Sequence, residues 1–396
     1  NEMTNAVGYK QKVVCTNPCG EQPLAPYSVC NLAAINLANM VDRDKAEVDW
    51  KKLEKTIRIA IRMQDSVIDK THYFLEENKT QALGERRIGL GIMGLHDLLI
   101  WCNKRYGSKD ANVLVDELFR FISTNAYEES IEIAKVKGSF PFLETEENVE
   151  LFLQSGYMQK LPEYIRESVR KNGIRNSHLL TIAPTGSTGT MVGVSTGLEP
   201  YFAFTYYRSG RLGKFIEVNA PIVDQYLEKY PQYTKDTLPN TFVSAMELAP
   251  EDHVDVQCVI QNWVDSSISK TVNAPKGYTV EEVEQVYMRL YKGGAKGGTV
   301  YVDGSRDSQV LTLSKDDDEK ISSPKQVDIA ELGVELEEEK KEPKEQKTQG
   351  LRNDRQDRNI GIEAGDICPI CLEGTVENIG GCHTCTNCNA QLKCGL

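Results

Sequence analysis

The stretch NPCGEQPLAPYSVCNLAAINL, residues 17–37, sets two cysteines, Cys19 and Cys30, on either side of a proline-punctuated turn and then runs into an apolar segment. Pro18 and Gly20 exclude the interior of a helix around the first of them. Cys19 stands two residues from the carboxamide of Asn17 and two from the carboxylate of Glu21. Three different functional groups can therefore converge on one small molecule.

A cysteine beside an acid can be a metal ligand, an ionic nucleophile or the source of a sulfur radical. An activated thiolate wants a neighbouring histidine or a helix N-terminus. The chain has five histidines, and none lies within fifty residues of Cys19 in sequence. Glu21 also disfavours a thiolate by charge repulsion, which suits one-electron chemistry better.

The whole stretch closely resembles the finger-loop region of ribonucleotide reductase large chains, in the class II, adenosylcobalamin-dependent form. The resemblance implies that Cys19 becomes a thiyl radical and removes hydrogen from C3′ of a ribose. Glu21 would take the 3′-hydroxyl proton and Asn17 would hydrogen-bond the ribose hydroxyls. Cys30 would be one member of the cysteine pair that supplies two electrons, its partner lying upstream of this chain.

A second constellation points to the same site. Residues 179–183, LLTIA, read as a short buried strand and run into Pro184 and the turn Thr185-Gly186-Ser187-Thr188, which would open a helix. Backbone N–H groups at a helix start, together with hydroxyls, can hold an anion, although such turns are also common N-caps. The segments APTGSTG (183–189) and GVSTGLEPYF (193–202) resemble the part of the reductase that holds the substrate phosphates.

Gly89, Gly91 and Gly94 satisfy the G-x-G-x-x-G pattern, but no apolar strand precedes them and no clear acidic position follows. Close helix packing is the better explanation. The surrounding ALGERRIGLGIMGLHDLL (82–99) resembles the reductase barrel, where no dinucleotide binds.

Six of the eleven cysteines fall within the last 29 residues. Cys368-x-x-Cys371 and a second knuckle argue for a structural zinc site, with a disulfide framework as the competing account. The scattered remaining cysteines, with no secretory signal visible, favour reducing, cytoplasmic surroundings and zinc. One partition gives zinc to Cys368, Cys371, Cys382 and Cys385. The resemblance then makes Cys388 and Cys394 a dithiol that re-reduces the active site by thiol–disulfide exchange. The other partition pairs Cys385 with Cys388 as the second knuckle and leaves Cys382 and Cys394 over.

Helical periodicity is plain at 50–69 and 112–137, and short apolar runs at 179–183 and 299–302 read as buried strands. Alternation of the two argues for an α/β arrangement with mostly parallel strands. Residues 313–360 are about half charged and almost free of aromatics, a composition that cannot offset chain entropy by burial. Such an arm spans about 35 to 40 Å as a random coil, ample reach for a tethered reductant. Expected organisation is therefore a body at 1–312, a disordered linker at 313–360 and a small zinc-ribbon-like tail at 361–396. The resemblance makes the body the second half of a ten-stranded α/β barrel.

SISKTVNAP (267–275) and KGGTVYVDGSR (296–306) extend the resemblance. Reductases fed by a separate diiron subunit carry adjacent tyrosines where this chain has Tyr301-Val302, so tyrosyl transfer looks broken here. Tyr206-Tyr207 reads as packing. The diiron-dependent form and a non-catalytic, zinc-ribbon-bearing regulatory subunit remain the alternatives.

A net charge of -12 and a pI near 5.1 argue against nucleic acid as partner, and no apolar run approaches a membrane span. The resemblance implies a ribonucleoside di- or triphosphate substrate and a thioredoxin-like or glutaredoxin-like reductant, and it allows a homodimer. The chain starts at Asn1, just before the finger loop. The first half-barrel, most of the cobalamin surface and the effector sites are expected upstream, and this chain alone is expected to be inactive.

Overall fold

In the computed structural model, which describes residues 5–210, 213–305, 361–369, 371, 373–379, 382–388 and 391–394, the chain opens as a hairpin. Strands β1 (Cys15–Thr16) and β2 (Pro23–Leu24) pair antiparallel. Gly20 N donates to Asn17 O at 3.0 Å, closing a β-turn with Pro18 at its second position and Gly20 at φ 78°. Proline presets the turn, and only glycine takes that positive φ without strain.

β3 (Asn31–Asn36) follows, then a small ribbon of β4 (Val41–Asp42) and β5 (Glu47–Val48). Helix α1 (Trp50–Lys70) is capped by Asp49, whose carboxylate accepts from Lys52 N at 3.0 Å. Its buried stripe of Leu53, Ile57 and Ile61 is fully enclosed, each side chain contributing roughly 1.5–3 kcal/mol of transfer free energy. After α2 (Glu76–Glu85) come β6 (Ile88–Met93), α3 (Leu95–Trp101) and α4 (Lys109–Lys137). α1 lies against α4, with Trp50 and Phe121 edge to face and Arg58 bridging to Glu128 at 3.0 Å.

Helices α5 (Glu146–Leu153), α6 (Glu163–Asn172) and α7 (Gly186–Val192) precede a hairpin of β7 (Thr205–Gly210) and β8 (Gly213–Asn219). α8 (Pro221–Lys229), α9 (Pro250–Gln261), β9 (Thr271–Ala274), α10 (Val280–Lys292) and β10 (Thr299–Val302) complete this part.

The strands that carry the site form one open parallel run. β3 pairs with β6 in register from Asn31↔Ile88 to Asn36↔Met93. β6 takes residues 178–182 on its other side through Ile88 N to His178 O and Leu90 N to Leu179 O. Ile182 then bonds the segment at 267–269, which continues into β9, and β9 pairs parallel with β10. Helices connect successive members, as parallel pairing demands. Among the described residues β3 and β10 each pair with one strand only, and no closed barrel is formed.

Two expectations change here. The glycines at 89 and 91 serve strand packing and not helix packing: β6 is buried throughout, and a Cβ at Gly91 would stand 2.5 Å from Thr181 O. β10 is half-exposed where a buried strand was expected, because it lies at the edge of the run.

The chain divides into two compact units, Asn1–Pro324 and Lys325–Leu396. The expected linker at 313–360 lies outside the described residues. The second unit is an antiparallel sheet of β11 (Val376–Ile379), β12 (Cys382–Cys385) and β13 (Gln391–Cys394). Its apolar centre is Val376 with Cys368 and Cys385, too little to hold a fold without a staple.

Candidate functional site

The turn presents Cys19 exposed while it draws Glu21 inward, where that residue is 2% exposed. Asn17 Nδ2 donates to Glu21 Oε1 at 2.7 Å, and Asn17 Oδ1 accepts from Gln22 N at 3.1 Å. Glu21 Oε2 is buried with no hydrogen-bond partner among the described residues. An oriented carboxylate with one open oxygen thus lies two residues from an exposed thiol, an arrangement able to accept a proton from a bound hydroxyl.

The backbone of the turn is docked on the sheet. Glu21 O accepts from Thr181 Oγ1 at 2.8 Å and from Ser267 N at 2.9 Å, so one carbonyl ties the hairpin to two neighbouring strand segments. Thr181 belongs to the bridged segment 178–182 that leads into Thr185, so one short run of chain joins the finger turn to the hydroxyl-rich turn.

Cys30 precedes β3 and packs over Gly89. A Cβ placed at Gly89 would meet Cys30 Sγ at 3.0 Å and Thr181 Cγ2 at 2.7 Å. Cys30 keeps part of its surface open, yet burial of the thiol pushes its pKa up to about 12; Arg87 opposes the rise, whereas Glu85, Asp265 and Glu21 add to it.

Thr185 opens α7 in the left-handed region at φ 48°, and its Oγ1 accepts from Gly197 N at 2.7 Å. Gly186, Ser187 and Thr188 are exposed in the first turn, where backbone N–H groups have no earlier carbonyl to bond. Tyr301 pairs with Asn273 across β10 and β9, and Tyr206 and Tyr207 lie in β7.

In the tail, Cys368, Cys371, Cys385 and Cys388 place their sulfurs within 4.8 Å of one another. Cys371 and Cys385 are 3.6 Å apart and Cys368 and Cys388 3.8 Å. Four thiolates about 2.3 Å from a tetrahedral zinc stand about 3.8 Å from each other, so the set fits that ion. Gly374 N donates to Cys371 Sγ at 3.4 Å, and such backbone N–H donors hold the Cys371 thiol down at about 6. The sulfurs that gather are thus those of Cys368, Cys371, Cys385 and Cys388, where the first partition expected Cys382 in place of Cys388. Cys382 and Cys385 are the two ends of β12, about 10 Å apart along an extended backbone, whereas Cys385 and Cys388 straddle the turn after it. Cys382 is the backbone register partner of Cys394 across β12 and β13. His383 Nδ1 lies 2.9 Å from Ile362 O, outside the sulfur group.

Thr181, Ser267 and Arg87 were not singled out from the sequence. A lone hydroxyl inside the apolar run LLTIA was the available signal for Thr181. Arg87 carried no such signal, because its place beside Cys30 comes from the pairing of β3 with β6.

The site is thus a cysteine–carboxylate hairpin docked on a parallel α/β sheet, with a second cysteine packed against one of its strands. Residues 1–301 match the model of the family described as ribonucleotide reductase, barrel domain, and the chain belongs to that family. It is 34% identical over 329 residues to a vitamin B12-dependent ribonucleoside-diphosphate reductase of Mycobacterium tuberculosis, a match covering 78% of this chain and 43% of the relative. A reductase of the same description from Thermoplasma acidophilum is 32% identical, with 81% and 41% covered. The ribonucleoside-diphosphate reductase subunit alpha of Chlamydia trachomatis is 27% identical, with 97% and 38% covered. The chain thus spans about two fifths of the length of these relatives. No helix among the described residues is long and apolar enough to cross a membrane.

Proposed function

We propose that this chain is the catalytic second half of a ten-stranded barrel in a ribonucleotide reductase that converts ribonucleoside diphosphates to deoxyribonucleotides. The run of five adjacent parallel segments, with the outer edges of β3 and β10 unpaired among the described residues, supports the half-barrel reading. One observation carries the chemistry: Glu21 is buried, held by Asn17 through one oxygen and open at the other, beside the exposed Cys19.

In this reading the Cys19 sulfur radical takes the hydrogen from C3′ while Glu21 Oε2 accepts the 3′-hydroxyl proton and Asn17 holds the hydroxyls. The 2′-hydroxyl leaves as water after protonation from the cysteine pair. The second thiol hydrogen goes to C2′ as Cys30 and its partner in the upstream half supply two electrons and close a disulfide, and Glu21 returns its proton to the 3′ oxygen. Cys19 returns its hydrogen to C3′ and is again a radical. Thr185, Gly186, Ser187 and Thr188 hold the substrate phosphates at the exposed start of α7.

The vitamin B12-dependent relatives and the interruption of a tyrosine pair by Val302 favour the cobalamin-dependent form. Adenosylcobalamin, when bound by the complete protein, supplies the one-electron oxidation that reaches Cys19, whose exposure at the turn tip fits that approach. Zinc is held by Cys368, Cys371, Cys385 and Cys388. Cys382 and Cys394, register partners across adjacent strands, replace Cys388 and Cys394 as the proposed shuttle dithiol. A thioredoxin-like or glutaredoxin-like protein re-reduces that pair.

The test is deoxyribonucleotide formation by the intact enzyme given a ribonucleoside diphosphate, adenosylcobalamin and a dithiol. Product is expected from the native protein and none from Cys19→Ser. A Cys19→Ser protein that still turned over would refute the mechanism.

A further inference from the structure

The redox cysteine Cys30 sits in a charged surround that the proposed chemistry does not use. Asn31↔Ile88 is the first register pair of β3 and β6, so Cys30 and Arg87 enter the sheet side by side. Arg87 and Gly89 are two residues apart, which puts them on one face, and Cys30 Sγ packs against Gly89 on that face.

The Arg87 side chain is 1% exposed. Its Nε donates to Glu85 Oε2 at 3.3 Å and its Nη1 reaches Gln22 Oε1 at 3.5 Å. Its Nη2 has no hydrogen-bond partner among the described residues, nor do Glu85 Oε1 and Gln22 Nε2. Gln11 Nε2 donates to Glu85 Oε2 at 2.8 Å, fixing the carboxylate that competes for the guanidinium. A fully buried cation with an open nitrogen is costly unless something makes use of its charge.

Resting on the reading of Cys30 as a redox cysteine, we propose that Arg87 is its positioning residue, stabilising the thiolate that Cys30 becomes when its disulfide is opened, with Glu85 limiting how much of that charge the sulfur feels. In that step the thiolate of an external dithiol attacks the partner sulfur of the Cys30 disulfide. A mixed disulfide forms, the old S–S bond breaks, and Cys30 leaves with the electron pair and then takes up a proton. The second thiol of the reductant displaces the mixed disulfide, so two electrons pass from dithiol to enzyme. A leaving thiolate that is better stabilised leaves faster. Of the charged groups that act most strongly on Cys30 (Arg87, Glu85, Asp265 and Glu21), Arg87 is the cation; Lys296 spends its Nζ on the carbonyls of Asp265 and Ser266. Asp265 is occupied by Leu179 N, Leu180 N and the Tyr127 hydroxyl.

The experiment is alkylation of Cys30 by iodoacetamide in the reduced, substrate-free intact enzyme, followed at pH 9 by mass spectrometry of the labelled peptide. Arg87→Gln is expected to slow labelling about tenfold, the effect of moving a pKa by one unit. Arg87→Lys keeps the charge and stays near the native rate, and Glu85→Gln labels faster. Loosened packing would instead expose Cys30 and speed labelling in both the Arg87→Gln and Glu85→Gln proteins. Arg87→Gln labelling at or above the native rate therefore overturns the proposal. Because labelling needs no turnover, the reductase reading fails separately, by Cys30→Ser sustaining deoxyribonucleotide formation with a protein dithiol.

Discussion

The hydroxyl of Thr181 donates a 2.8 Å hydrogen bond to the main-chain carbonyl of Glu21, so the finger turn is fastened to the sheet at the residue that carries its carboxylate. Thr181→Val keeps the shape of the side chain and removes the donor. Leaving a buried carbonyl one partner short costs about 1–3 kcal/mol. The variant is expected to show that loss in chemical denaturation and a fall in kcat of about tenfold from a misplaced Glu21, with KM changed less. An unchanged kcat would mean that Ser267 N alone holds the turn.

The break in the chain around Cys19 and the long helices were legible because their signals are local, whereas the pairing of β1 with β2 was not. Pro18 and Gly20 specify a turn whatever surrounds them, and the apolar spacing from Leu53 to Ile68 admits only a helix. β6 was not legible as a strand, because its two glycines break the apolar run, and their reason, the close passage of residues 178–182, is far away in sequence. Cys30 was readable as a cysteine of interest, but its neighbour Arg87 follows only from the pairing register of β3 and β6. The tail shows the same limit. Both partitions of its cysteines satisfy the spacing rules, and the extended run of β12 between Cys382 and Cys385 favours the one that pairs Cys385 with Cys388.

Gly91 tests the close approach inside the sheet. Any Cβ there would lie 2.5 Å from Thr181 O, which is main chain and cannot swing aside. Gly91→Ala is expected to destabilise the protein by roughly 1–3 kcal/mol through overpacking. Because the strand displaced is the one that holds Glu21, activity should fall with stability. Equal denaturant midpoints for Gly91→Ala and the native protein would contradict the packing described.

Acidification should weaken the fold through two buried histidines. His96 Nε2 donates to Thr241 O at 3.2 Å and its Nδ1 accepts from Tyr201 N at 3.1 Å; His253 Nε2 donates to Ala245 O at 3.0 Å and its Nδ1 accepts from Lys270 Nζ at 2.9 Å. Both rings are satisfied as neutral species. Burial lowers His96 to about 4, and burial together with the Lys270 charge lowers His253 to about 3. Between pH 6.5 and those values the unfolded state binds protons that the folded state refuses, so stability present above pH 6.5 is lost as pH falls. From pH 7 to 5 the loss is about 2 kcal/mol for each histidine. Denaturation at the two pH values measures it, and a midpoint that rises on acidification would contradict the assignment.

The tail makes a prediction that separates its two cysteine partitions by metal content alone. Cys388 belongs to the four-sulfur group, and Cys382 pairs in register with Cys394 at the far end of β12. Removing one thiolate of a tetrahedral set leaves an incomplete site, whereas removing Cys382 leaves the set whole. Purified Cys382→Ser is expected to retain one zinc per chain by elemental analysis, and Cys388→Ser to lose it to a mild chelator. Since the small sheet has so little apolar surface, loss of the ion should also unfold it, seen as rapid proteolysis of the tail. Zinc retained in Cys388→Ser and lost in Cys382→Ser would restore the first partition and return Cys388 to the redox pair.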